Sequence, residues 1–104
     1  MTQLQKERQP MLDTRYTITF EIGSNDTSID KANLHFLLGQ YFDCYTLTVG
    51  DGCWKGTVNV CYSVDIVGDA LAYPAIRLVA RKIKERYSQE AVLVTMTSLQ
   101  GELV

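Results

Sequence analysis

One segment of the sequence, residues 50–56 (Gly-Asp-Gly-Cys-Trp-Lys-Gly), concentrates side chains that could bind a ligand or a partner. It contains the only tryptophan of the chain, Trp54, and Lys55 follows it directly. An exposed indole can stack on a ligand and an ammonium group can meet an anion, while glycines let the backbone approach a partner closely. The segment therefore predicts a ligand- or partner-binding site, whose candidate residues are Asp51, Cys53, Trp54 and Lys55.

A structural role for the same segment is the other interpretation, and a lone tryptophan in a small domain favours it. The indole of Trp54 would then fold back over the edge of a sheet, and the ammonium group of Lys55 would stay in water. The glycines are not spaced as in a phosphate-binding loop, and the segment lies between strands rather than before a helix. A phosphate cradle is therefore not predicted.

The metal-ligating and redox-active side chains show little organisation in the sequence. His35 is the only histidine and has no carboxylate partner nearby in sequence, so a structural role is favoured. Cys-x-x-Cys and His-x-x-x-His spacings do not occur, and we expect neither a metal site nor a cofactor. Strand alternation favours a central hairpin in which Leu47 lies opposite Val58. In that register Cys44 lies opposite Cys61, where the two could oxidise, although a reducing compartment favours free thiols.

Three carboxylates, Glu21, Asp65 and Glu90, could share one face or edge of a sheet and act in general acid–base catalysis. Their spacing alone does not select them, and a Ser-His-Asp set is defined only in space. We therefore favour a protein that is not an enzyme.

Composition limits the compartment and the partners. The 104 residues, 46% of them hydrophobic, suffice for one domain with one core. The net charge of −2 argues against a nucleic-acid partner, because such partners are held by a basic face.

No apolar run reaches the roughly 20 residues that span a bilayer, and the first dozen residues do not resemble a secretory signal. We expect a cytoplasmic protein that binds neither nucleic acid nor membrane. The basic residues that cluster in one helix are interpreted as its solvated face: Arg77, Arg81, Lys82, Lys84 and Arg86.

The hydrophobic pattern predicts a flexible N-terminal arm over residues 1–13 and a single α+β domain over residues 14–104. Apolar residues alternate as in β-strands over four stretches, residues 16–22, 44–49, 58–66 and 91–96. Helical spacing marks two stretches, residues 27–43 and 71–87. The order is β-α-β-β-α-β, which folds most simply as a ferredoxin-like sandwich. In that fold a four-stranded antiparallel sheet carries both helices on one face.

The helix-free face of this sheet carries small polar residues, predicted as Thr17, Thr19, Glu21, Thr46, Thr48, Asn59, Cys61, Ser63, Asp65, Thr95 and Thr97. RNA-recognition versions of the fold display aromatic residues there. Here Tyr16, Phe20 and Tyr62 are in phase with the core instead, which argues against an RNA-binding face. A solvated face or a symmetric dimer interface is favoured, and we expect a homo-oligomer formed through this face or a sheet edge.

Residues 41–94 loosely resemble short ferredoxin-like proteins of unknown function from bacteria, phages and other mobile elements. The resemblance lies in Tyr41-Phe42, in the Cys-Trp-Lys-Gly of residues 53–56 and in the Tyr-Ser-Gln-Glu-Ala-Val-Leu-Val of residues 87–94. Those relatives carry Glu and then Ser on the third strand, where this chain has Asn59 and Cys61. The resemblance implies a fold and a mobile-element context but no activity.

Together these observations predict a self-associating cytoplasmic domain that binds a protein or a small molecule. One alternative is a small dimeric ferredoxin-like enzyme with a cavity between sheet and helices. The other is a nucleotide-sensing regulatory protein, with clefts between subunits lined by backbone N–H groups.

Overall fold

The computed structural model describes residues 12–22, 27–100 and 104. Its elements are β1 (Thr14–Ile22), α1 (Thr27–Gly39), β2 (Thr46–Trp54), β3 (Thr57–Gly68), a 3₁₀ turn (Ala70–Ala72), α2 (Tyr73–Arg86) and β4 (Leu93–Ser98). The predicted α+β order of elements is therefore confirmed. Most of the predicted arm (residues 1–11) and residues 23–26 lie outside the described residues. None of the described helices has both the length and the apolar character needed to span a membrane.

The four strands form one antiparallel sheet in the order β2-β3-β1-β4. β1 and β3 lie in the middle and pair along their whole common length, from Thr14↔Gly68 to Ile22↔Val60. Because β1 and β2 both run antiparallel to β3, they are parallel to each other with β3 between them. In the same way β1 lies between β3 and β4. The two strands of each β-α-β unit are therefore separated by one strand of the other unit.

β1 shows why the sheet has one buried face. Tyr16, Ile18, Phe20 and Ile22 are buried, whereas the residues that alternate with them are only partly buried. Their partners on β3 continue the same layer, and the rings of Phe20 and Tyr62 stack with centroids 5.7 Å apart. This apolar layer is the floor of the core.

Both helices contribute to the core cluster on that face. α1 buries Leu34, Leu37 and Leu38, which recur at helical spacing. α2 buries a second set of residues at helical spacing: Ile76, Val79, Ala80 and Ile83. Proline at the start of α2 is tolerated because a first-turn N–H has no partner within the helix.

The central hairpin differs from the predicted one. The sequence predicts that residues 50–56 lie between two strands, but β2 continues through this segment to Trp54. Only Lys55 and Gly56 turn the chain, and both have positive φ, 51° and 81°. Positive φ at both central residues is the feature of a two-residue type I′ turn, whose twist matches that of the flanking strands. The glycine-rich segment is therefore paired strand.

The shorter turn also changes the register of the hairpin. Leu47 pairs with Val64, so the predicted pairing with Val58 is wrong. The predicted juxtaposition of Cys44 and Cys61 fails with it, because Cys61 lies opposite a glycine of β2. All three cysteines are free thiols in the structure.

Two apolar residues that lie within the predicted strand and helix stretches are exposed. Val58 is 64% exposed because it lies beyond the last β1–β3 pair, Ile22↔Val60. Ile29, in the first turn of α1, is 58% exposed, and the buried stripe of α1 begins at the next residue, Asp30. The last strand was placed over residues 91–96 and in fact begins and ends two residues later.

Candidate functional site

The end of the β2–β3 hairpin, residues 51–59, is called the hairpin tip below. Its four candidate residues are all exposed, but they lie on two sides of the strand pair. Strand alternation places Asp51 and Cys53 on the side of the sheet that carries the helices and Trp54 on the opposite side. Lys55 lies in the turn, and its Nζ is 5.6 Å from the centroid of the Trp54 ring. The structure therefore brings Trp54 and Lys55 together and separates them from Asp51 and Cys53.

Trp54 is 64% exposed, so its indole does not take the folded-back position of the structural alternative. On the other side of the hairpin tip, Val58 is exposed to the same extent. Neither side chain is covered, because β1 pairs with β3 only as far as Val60. The hairpin tip thus presents one exposed apolar side chain on each side of a two-stranded arm.

A second feature, which the sequence interpretation missed, lies beside Trp54 on the helix-free face. Gly50 and Gly52 leave this part of β2 without side chains, and we call the area the glycine recess. A Cβ atom at Gly52 would lie 2.9 Å from Cβ of Cys61 and 3.4 Å from Oε2 of Glu21. Such a contact with Cβ is shorter than packed side chains allow, so a glycine is required there. The signal in the sequence was the two-residue spacing of the glycines, which removes two successive side chains of β2 from the same face of the sheet.

Polar side chains border the glycine recess. Asn59 Nδ2 donates a hydrogen bond of 3.2 Å to Oε1 of Glu21. Burial raises the pKa of the Cys61 thiol, and the neighbouring Glu21 carboxylate raises it further. The thiol of Cys61 is therefore a poor nucleophile at neutral pH, because the thiolate is the reactive form. This arrangement gives little support to covalent catalysis by Cys61.

The three carboxylates considered for acid–base catalysis are not assembled into one site. Glu21 and Asp65 share the helix-free face, but Glu21 pairs with Cys61, four residues before Asp65 on β3. Four residues of strand correspond to roughly 13 Å. Each carboxylate also has its own neighbour, and Asp65 accepts a 2.7 Å hydrogen bond from Thr17 Oγ1. Glu90 is exposed in the segment before β4.

The register places the predicted polar residues of the other strands together on the helix-free face. One row across the sheet is Thr95, Thr17, Asp65 and Thr46, and the next is Leu93, Thr19, Ser63 and Thr48. Most of these side chains are hydroxyls, and they are exposed or half-buried. This face can therefore hydrogen-bond with water or with another polar surface.

His35 lies away from both features. Its Nδ1 is 2.6 Å from the hydroxyl of Tyr45, which links α1 to the residue before β2. The two rings also lie 5.6 Å apart.

Within the described ranges, no three His, Cys, Asp or Glu side chains are grouped so as to hold a metal ion. No protein-family model matches the chain, and no curated protein matches it.

Proposed function

We propose that the protein is a cytoplasmic, self-associating domain that binds a protein or a small molecule, and that its recognition element is the hairpin tip. Its fold would be the ferredoxin-like fold of the bacterial and mobile-element proteins that residues 41–94 resemble. The observation that carries the proposal is the exposure of Trp54 on an arm that extends beyond the core. About two-thirds of an indole corresponds to roughly 150 Å² of surface, whose burial against a partner is worth up to about 4 kcal/mol. Lys55 adds a cation beside the same ring.

The ferredoxin-like assignment is supported by the topology. Read from the other edge, the sheet order is β4-β1-β3-β2, in which the two β-α-β units are interleaved. Split β-α-β units of this kind are a feature of the ferredoxin-like motif. The buried side chains of both helices also belong to one cluster with one face of the sheet.

Self-association is proposed to use the outer edge of β4. Leu93–Ser98 contains no charged residue and no proline, which are two of the usual means by which edge strands are protected. Leu93 and Met96 are exposed along it, at 59% and 55%. Antiparallel pairing puts like faces together, so two copies of β4 would pair about a two-fold axis through Thr95 or Met96.

The two proposed contacts lie at opposite edges of the sheet. β4 forms one edge, and β2, which leads to Trp54, forms the other. A dimer that pairs its β4 strands therefore leaves both hairpin tips exposed. This arrangement presents two recognition elements at the ends of one continuous sheet.

An enzymatic role has less support. The interface between sheet and helices is filled by buried aromatic side chains such as Phe20 and Tyr62. Burial and the neighbouring Glu21 raise the pKa of the Cys61 thiol, and the carboxylates of Glu21 and Asp65 are four residues of strand apart. These observations favour binding.

Light scattering over a hundredfold range of concentration tests the self-association. We expect a dimer for the wild type and a monomer for Leu93→Lys, which adds a charge at the β4 edge. The matched control is Thr48→Lys, on the same face but in β2 at the other edge, and it should remain dimeric. A wild type that stays monomeric throughout would contradict the proposal.

Capture experiments test the hairpin tip separately. A partner held by the wild type should be retained by Leu93→Lys and lost by Trp54→Ala. A partner that binds Trp54→Ala as well as it binds the wild type would exclude the hairpin tip as the recognition element.

A further inference from the structure

The outer surface of α2 forms a shallow groove, wide open to solvent, of about 300 Å³, which the proposed function does not use. It is lined by Tyr73, Pro74, Arg77, Leu78 and Arg81. These residues recur every three or four positions, so they lie on one side of the helix, opposite the stripe that is buried in the core. Tyr73 and Leu78 are 38% and 44% exposed, and both arginines are exposed beside them. The groove therefore combines an apolar floor with two guanidinium groups about one helical turn apart.

The charge of this surface is opposite to that of the whole chain. α2 holds five of the ten basic residues of the sequence and one of its twelve acidic residues. Its local charge is thus strongly positive, while the net charge of the protein is −2. A guanidinium group binds a carboxylate with two parallel hydrogen bonds, which makes arginine well suited to recognising acidic side chains.

We propose that the α2 groove binds an acidic protein segment in which an apolar side chain lies between two carboxylates. The carboxylates pair with Arg77 and Arg81, and the apolar side chain packs between Tyr73 and Leu78. An acidic segment fits better than a nucleic acid because the floor of the groove is apolar. The acidic remainder of the chain would also repel an extended polyanion. The proposal is independent of the hairpin tip and of the β4 edge.

A fluorescein-labelled peptide of three Glu-Leu-Glu-Ser repeats tests the inference by fluorescence anisotropy at physiological salt. We expect saturable binding that is lost when the glutamates of the peptide are replaced by glutamine or its leucines by serine. The double variant R77A/R81A should bind roughly tenfold more weakly, in line with the loss of two partly exposed charge-assisted contacts. The charge-matched double variant K82A/R86A, whose side chains do not line the groove, should lose less than threefold.

Three results would overturn the inference. One is the absence of saturable binding at millimolar peptide. Another is equal loss of affinity in the two double variants, because general attraction to a basic helix would then explain the binding. The third is a short DNA duplex that displaces the peptide at lower concentration than the unlabelled peptide does. Thermal melts of both double variants verify folding, and failure of Leu93→Lys or Trp54→Ala in their own assays leaves this test unaffected.

Discussion

Replacement of Trp54 by alanine separates a binding role from a structural one, because the two predict different losses of stability. The indole is 64% exposed, so only about a third of its surface, roughly 80 Å², is removed from water. At about 25 cal/mol per Å², this burial is worth up to about 2 kcal/mol, and a compact unfolded state reduces the figure. The contact with the ammonium group of Lys55 contributes about 0.5 kcal/mol more at such an exposed site. We therefore expect Trp54→Ala to lower the free energy of unfolding by about 1–2 kcal/mol.

The measurement is urea-induced unfolding followed by circular dichroism, since the substitution removes the only tryptophan and with it the fluorescence signal. The matched control is Phe20→Ala, because Phe20 is an aromatic residue that is only 3% exposed. Truncating such a buried aromatic side chain costs about 3–5 kcal/mol. A loss of more than about 3 kcal/mol for Trp54→Ala would refute the reasoning and assign the indole to the packed structure. A loss within the expected range together with loss of a captured partner would support the binding role.

Three further predictions follow from the sheet. Gly52→Ala should destabilise the protein by about 1–3 kcal/mol in the same urea assay, because the added Cβ would lie 2.9 Å from Cβ of Cys61. The control Gly50→Ala should be nearly neutral, because a Cβ there meets nothing within 4 Å. Iodoacetamide at pH 8 should alkylate Cys61 more slowly than the exposed Cys53, because the raised pKa of Cys61 leaves less thiolate at that pH; equal rates by mass spectrometry would contradict this. Leu93→Lys should convert a dimer to a monomer in light scattering, and a dimer that survives the substitution would place the interface away from the β4 edge.

The sequence predicted the elements whose periodicity is strong. Alternation in β1 and in the second half of β3 identified the buried face of the sheet, which includes Tyr16 on β1 and Ile66 on β3. Every second residue of these strands contacts the same apolar layer. The buried stripe of α2, from Ile76 to Ile83, followed from helical spacing for the same reason. In each case one physical cause, burial against a single core, produces the pattern.

The hairpin was predicted less well because glycine occurs both in turns and where two paired strands leave no room for a side chain. The segment that contains Gly50 and Gly52 was predicted to lie between strands, but both residues are in paired strand. Gly52 makes room for the side chain of Cys61 on the neighbouring strand. That reason depends on the register, which the local sequence does not contain. The true turn uses Lys55 at positive φ, which a non-glycine residue seldom adopts, so it carries a weak turn signal. The glycine recess was missed with the register that creates it.

The placement of the two exposed regions of the sheet gives the proposed function a geometric test that needs no partner. β4 and β2 are opposite edges, so pairing through β4 keeps Trp54 away from the new interface. Trp54 is also the only source of tryptophan fluorescence, and it is already 64% exposed in the single chain. Its quenching by acrylamide should therefore be the same for dilute monomer and concentrated dimer. If quenching instead falls as the dimer forms, the hairpin tip lies in the self-association interface, and the division of roles between the two edges is wrong.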